Sequence, residues 1–254
     1  MTWDQAADSA AGEPRRKLPL KLLDLFLIAI FGVVGVQVAV VIAITQGWMA
    51  PLGGDGSISR VLAAVAILAL QAAGLLAIVL AIAKWWRGIT WRELGFRRAD
   101  SRWYVRACVV VVAGIALSGI NTLVIEAVLG EVPQNPQLQV IAPDGFSWLG
   151  LIGMTLVAGC LVPIVEEITF RAVLYRWLRE RIGFWPGLVL SSVLFGMLHG
   201  VLFLAPVLSI LGALFAWLYE RSGSLWPAIV AHGLFNTVMV VGVYVTLAAG
   251  YPVA

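Results

Sequence analysis

Ser59 to Ala83 reads SRVLAAVAILALQAAGLLAIVLAIA, and its one charged residue, Arg60, lies at its edge. A helix of about 20 apolar residues crosses the roughly 30 Å hydrocarbon core of a bilayer, so this stretch is long enough to span. The same reading applies along the chain, at Leu22 to Thr45, Tyr104 to Leu129, Phe146 to Trp177, Trp185 to Leu202, Leu204 to Tyr219 and Leu225 to Ala248. Composition agrees. Of 254 residues, 61% are apolar and only 12% charged, and the mean hydropathy of +0.96 exceeds what a soluble domain of this size carries. The expected fold is all-α, a polytopic transmembrane helical bundle of about seven spans.

Basic residues give an orientation, because cytoplasmic loops hold an excess of Lys and Arg near the span ends. With alternating loops, sixteen of the seventeen Lys and Arg fall on one side and only Arg60 on the other, where Asp55, Glu131 and Asp144 lie. The N-terminus is therefore expected in the cytoplasm and the C-terminus outside, in the plasma membrane if the cell is bacterial. The first apolar stretch is too long for the core of a cleavable signal and reads as a signal anchor. A net charge of +3 does not point to nucleic acid, since the basic residues mark span ends and form no patch. Cys108 and Cys160 lie in spans without Cys-x-x-Cys spacing and read as small packing residues. The loop from Lys84 to Trp103 carries Trp85, Trp86, Trp91 and Trp103, which read as headgroup-level anchors. Two prolines in Gly130 to Pro136 argue against continuation of the third helix.

Three polar islands interrupt the apolar C-terminal third: Glu166-Glu167 with Arg171, His199, and His232 with Asn236. Ionisable residues inside a membrane are costly and mark a protein interior or a wet cavity, usually for function. Glu167 and Arg171, four residues apart, share a helix face in the favourable order, whereas Glu166 is rotated by about 100° and stands without that partner. Glu167 thus reads as a structural carboxylate and Glu166 as one free for general-base work. At about 1.5 Å per residue, Glu166 lies about 15 Å from Arg176, His199 about 20 Å from Pro186 and His232 about 10 Å from Leu225, which brings all three to one layer nearer the cytoplasm. His232 and Asn236 share a face and can both donate hydrogen bonds, as an oxyanion requires. Phe195 reads as a packing neighbour of His199.

Glu166-Glu-Ile-Thr-Phe-Arg171, Phe195-Gly-Met-Leu-His199 and His232-Gly-Leu-Phe-Asn236, in this order, resemble the motifs of the CPBP intramembrane glutamic endopeptidases. That family includes the CAAX prenyl endopeptidases and abortive-infection-like membrane proteases. The resemblance covers about Gly150 to Val240. It implies that Glu166 activates water together with His199, that Glu167 and Arg171 support the site, and that His232 and Asn236 form the oxyanion hole. On this basis residues 1–21 form a cytoplasmic tail, 22–145 the N-terminal spans and loops, 146–248 a CPBP-like catalytic core, and 249–254 a short C-terminal tail. The implied substrate is a membrane-bound or lipidated peptide, of CAAX type or another, and no cofactor is expected. A zinc site of Glu166, His199 and His232 is the alternative. Against it, His-Glu-x-x-His is absent and the sequence shows no obvious carboxylate to orient both rings. A non-catalytic scaffold or immunity-type binding protein would not need all these polar groups. A proton-relay transporter would be expected to show an inverted repeat, and none is seen.

Overall fold

The computed structural model describes residues 17–46 and 57–251. Most of the N-terminal tail, the loop bearing Asp55, and Pro252 to Ala254 lie outside the described residues. The protein is an all-α polytopic membrane protein. Its long apolar helices are α1 (Leu22–Ala43), α2 (Arg60–Trp86), α3 (Ser101–Leu129), α5 (Trp148–Ile182) and α8 (Trp226–Ala248), each long and apolar enough to cross a bilayer. Between them lie a short helix α4 (Pro136–Ile141) and two helices expected as spans, α6 (Phe184–Leu198) and α7 (Ala205–Ser222). At 15 and 18 residues, α6 and α7 rise about 22 and 27 Å, somewhat less than a full hydrocarbon core.

Local chemistry explains where these helices stop. Helix α3 ends at Gly130, whose φ of 81° closes the last turn, and Pro136 opens α4 at a position that has no use for an N–H. Helix α6 ends four residues before the expected Leu202, since Gly200 takes φ of 73° and the next helix begins at Ala205 with Pro206 in its first turn. His199 consequently caps a helix and does not sit in mid-span. Helix α5 runs past the expected Trp177 to Ile182 and holds two π-helical stretches, Val157–Leu161 and Ile168–Tyr175, on either side of Glu166-Glu167. Such widened turns are frequent at functional sites.

The chain divides into two compact units. One holds the described residues up to Leu20, Ala83–Pro133 and Glu166–Phe235. Its core includes Arg171, Tyr175, Phe195, Leu211, Phe215 and Tyr219, all nearly inaccessible. The loop before α3 is packed into this unit: Ile89 and Leu94 are buried, Leu225 N donates to Gly95 O at 2.8 Å, and Ser224 Oγ donates to Arg97 O at 2.6 Å. Trp85, Trp86 and Trp91 are exposed as anchors should be, but Trp103 is buried against Trp217. Its place as the third residue of α3 turns it inward.

The other unit comprises the described residues of Lys21–Ile82, Gln134–Val165 and Asn236–Ala254. Its core is Ala142, Met154, Val240 and Tyr244, with the Tyr244 hydroxyl donating to Ile141 O at 2.9 Å. Small residues let helices approach closely here, as membrane helices commonly do: Gly153 faces Val65 and Gly159 faces Thr237. Arg60, the single basic residue against the charge asymmetry, pairs with Asp144 at 2.5 Å. Cys108 and Cys160 are exposed, so they do not serve as core packing residues; a thiol on an apolar helix is equally at home facing lipid.

Gly196 fixes the approach of α6 to α7. A Cβ there would collide with Ser209 Oγ and Ala205 O and lie 2.9 Å from Ser209 N, and backbone cannot swing aside. Gly196→Ala is therefore expected to lower stability by about 1–3 kcal/mol, read as a lower melting temperature in detergent. An unchanged midpoint would show that α6 and α7 can separate freely.

Candidate active site

Helix α5 carries Glu166, Glu167 and Arg171, α6 delivers Phe195 and ends at His199, α7 supplies Gly212 and Phe215, and α8 carries His232. The structure brings Glu166, Glu167, Arg171 and His232 into one cluster. Glu167 is fully buried, and its Oε1 is shared: Arg171 Nη1 lies 3.0 Å away and His232 Nδ1 2.8 Å away. Arg171, 2% exposed, also donates through Nη2 to Gly212 O at 3.2 Å. Its Nη1 contact with Glu167 is close in charge terms without the alignment of a hydrogen bond.

Glu166 is arranged differently. Its side chain is 21% exposed, and Oε2 has no hydrogen-bond partner among the described residues, with His232 Nε2 3.6 Å away. Glu167 thus has two partners on one oxygen and no exposure, while Glu166 has the accessible carboxylate that could bind something else. Helix phase gives the two carboxylates different neighbours, with Arg171 on the face of Glu167.

Aromatic rings hold the cluster. His232 stacks on Phe215 at 4.9 Å with planes 18° apart, and Phe195 meets it edge-on at 5.7 Å. The same Phe195 ring lies 4.7 Å from the His199 ring and 4.3 Å from the Arg171 guanidinium. Phe195 is thus a wedge between three charged or polar groups, a stronger role than packing beside His199. The sequence signals for Phe215 and Gly212 were absent, because both lie in an apolar helix whose residues look alike.

Hydrogen bonding fixes how the rings present themselves. His199 Nδ1 is 2.8 Å from Phe195 O, and a carbonyl only accepts, so Nδ1 carries the hydrogen. In the neutral ring Nε2 is then a lone-pair acceptor. That carbonyl is available because α6 ends here: the His199 N–H bonds Gly196 O, at 3.4 Å. For His232, Nδ1 donates to the Glu167 carboxylate, which leaves Nε2 directed to the side of Glu166. Both rings thus have an orienting partner, a carboxylate for His232 and a backbone carbonyl for His199. The Asn236 amide donates to Ala158 O at 3.0 Å, which engages one of its two hydrogens. Among the described residues, no three His, Cys, Asp or Glu side chains form a set suited to a metal ion.

Residues 148–238 match the family described as type II CAAX prenyl endopeptidase Rce1-like, and all the polar residues above fall within that range. This segment is thus similar to the CPBP endopeptidases whose motifs it resembles. A Bacillus subtilis protein named "Putative membrane peptidase YdiL" is similar, 36% identical over 88 residues. That match covers 35% of this chain and 36% of the relative, so the chain spans about a third of the length of the curated relative it matches. No solved structure matches the chain. The matched segment takes in all of α5 to α7 and the part of α8 that bears His232 and Asn236.

Proposed function

We propose that the protein is an intramembrane endopeptidase that cleaves membrane-associated peptides with water activated by Glu166. The observation that carries this is the different company of the adjacent carboxylates: fully buried Glu167 holds both Arg171 and His232 on its Oε1, whereas Glu166 is partly exposed and its Oε2 is not hydrogen-bonded by the described residues. The family description and the name of the Bacillus relative supply the reaction class.

In this mechanism His199 Nε2 and Glu166 together accept hydrogen bonds from the attacking water. Glu166 takes a proton as the water oxygen bonds to the peptide carbonyl carbon. It returns the proton to the amide nitrogen as the C–N bond breaks. Negative charge on the carbonyl oxygen is met by His232 and Asn236, as the resemblance implies. His232 can donate from Nε2 only with both nitrogens protonated, since Nδ1–H is already given to Glu167. An imidazolium also balances the cluster, because two carboxylates beside Arg171 leave one negative charge over. The substrate class is a membrane-bound or lipidated peptide, CAAX-type included, entering from the cytoplasmic side.

Zinc is the second reading, and one observation favours it: both rings are oriented through Nδ1, as zinc-binding histidines are. The two readings separate cleanly. On the metal-free mechanism, purified protein holds well under one zinc per chain and keeps most turnover after chelation and dialysis. His232→Ala and Asn236→Ala each slow the chemical step about 100-fold without changing metal content. Near one zinc per chain, with turnover lost on chelation and restored by zinc, would replace Glu166-only catalysis by metal catalysis.

The orientation follows from charge, with the N-terminus in the cytoplasm. In a background lacking Cys108 and Cys160, which are themselves exposed, Tyr251→Cys is expected to react with an impermeant maleimide on intact cells. Arg98→Cys should react only after lysis. The opposite pattern reverses the topology.

A further inference from the structure

Away from Glu166, a cleft of about 380 Å³ is lined by Trp103, Arg106, Trp217 and Arg221. We propose that this cleft binds the phosphate headgroup of an anionic phospholipid. It is built from two matching pairs. Trp103 and Arg106 lie one turn apart at the start of α3, and Trp217 and Arg221 one turn apart at the end of α7, so each pair shares a helix face. The indoles meet edge to face at 5.7 Å and form the floor.

Depth points to a lipid. Helix α3 has 29 residues and rises about 43 Å, well beyond a hydrocarbon core of about 30 Å, so its first turns reach headgroup level. Indoles favour that layer, where one edge is wet and the other apolar. Charge points to an anion. Both charged lining residues are arginines, and no carboxylate lines the cleft. The Arg106 guanidinium is held over the Trp103 ring at 4.3 Å, and no ion pair ties it to a carboxylate among the described residues. A planar guanidinium ordered in this way can still give a pair of parallel N–H bonds to phosphate oxygens. An apolar floor beside the Arg106 fork and the positive charge of Arg221 suits a headgroup phosphate with the start of its acyl chains, and suits a free ion poorly. The position at an end shared by α3 and α7 gives the lipid access from the bilayer. This site is independent of the chemistry proposed at Glu166.

The test is lipid retention. Protein reconstituted in nanodiscs of phosphatidylcholine with a few per cent of phosphatidylglycerol is released into the gas phase, and retained lipids are counted by mass spectrometry. Wild type is expected to keep one phosphatidylglycerol preferentially over phosphatidylcholine. Arg106→Gln and Arg221→Gln should each reduce that retention about fivefold, the scale of one basic residue at a lipid surface. Arg102→Gln, at the same end of α3 but outside the cleft, should keep it. Millimolar inorganic phosphate should not displace the lipid. Equal retention of the two lipids, equal loss in Arg102→Gln and Arg106→Gln, or displacement by free phosphate would each overturn the proposal. Arg106 is exposed, so Arg106→Gln should fold, and its helical circular dichroism checks that.

Discussion

Glu166→Gln is expected to stop turnover while leaving the protein folded. The side chain is partly exposed, its Oε2 has no hydrogen bond among the described residues, and His232 Nε2 lies 3.6 Å away. An amide of the same shape fits there but cannot take a proton from water. General-base catalysis contributes about 10² to 10⁴-fold, so loss of this scale is expected with a melting midpoint close to wild type. The measurement compares the membrane proteome of cells carrying intact protein with that of cells carrying Glu166→Gln. Peptide fragments present only with the intact protein name the substrates, and identical fragment patterns would remove Glu166 from the chemistry. If the intact protein yields no fragments from any membrane protein, the binding or scaffold reading takes its place.

Glu167→Gln is expected to act on stability instead. It leaves Arg171, 2% exposed, facing a neutral amide, and it removes the carboxylate that receives the His232 Nδ1–H. Breaking a buried pair by neutralising one partner costs about 3–5 kcal/mol, because the other charge remains desolvated. A fall in the melting midpoint of purified protein should report this loss, accompanied by reduced abundance in membranes. Replacing both partners, as in Glu167→Leu with Arg171→Leu, should recover a large part of that loss, since no lone charge is then buried. Equal midpoints for wild type and Glu167→Gln would mean that the cluster does not depend on the pair. The same result would also undo the separation of roles between the two glutamates.

What was legible in the sequence was local. The apolar stretches were legible because bilayer thickness sets a length that composition alone can meet. So was the pairing of Glu167 with Arg171, because residues four apart on a helix must be neighbours. The order of the three motifs carried the family resemblance. Tertiary structure alone decided that His232, 65 residues from Glu167, gives that carboxylate its second partner and thereby has one nitrogen committed. It also decided that Phe215 stacks on the ring, that Trp103 turns inward, and that His199 ends a helix with its ring on Phe195 O. The physical reason is that the hydrocarbon core is as apolar as a protein interior. Hydropathy therefore marks which residues lie in the membrane but not which face of a helix meets another helix and which meets lipid. That choice depends on close packing at positions such as Gly196 and Gly212, and on the few polar groups that must find one another once water is gone.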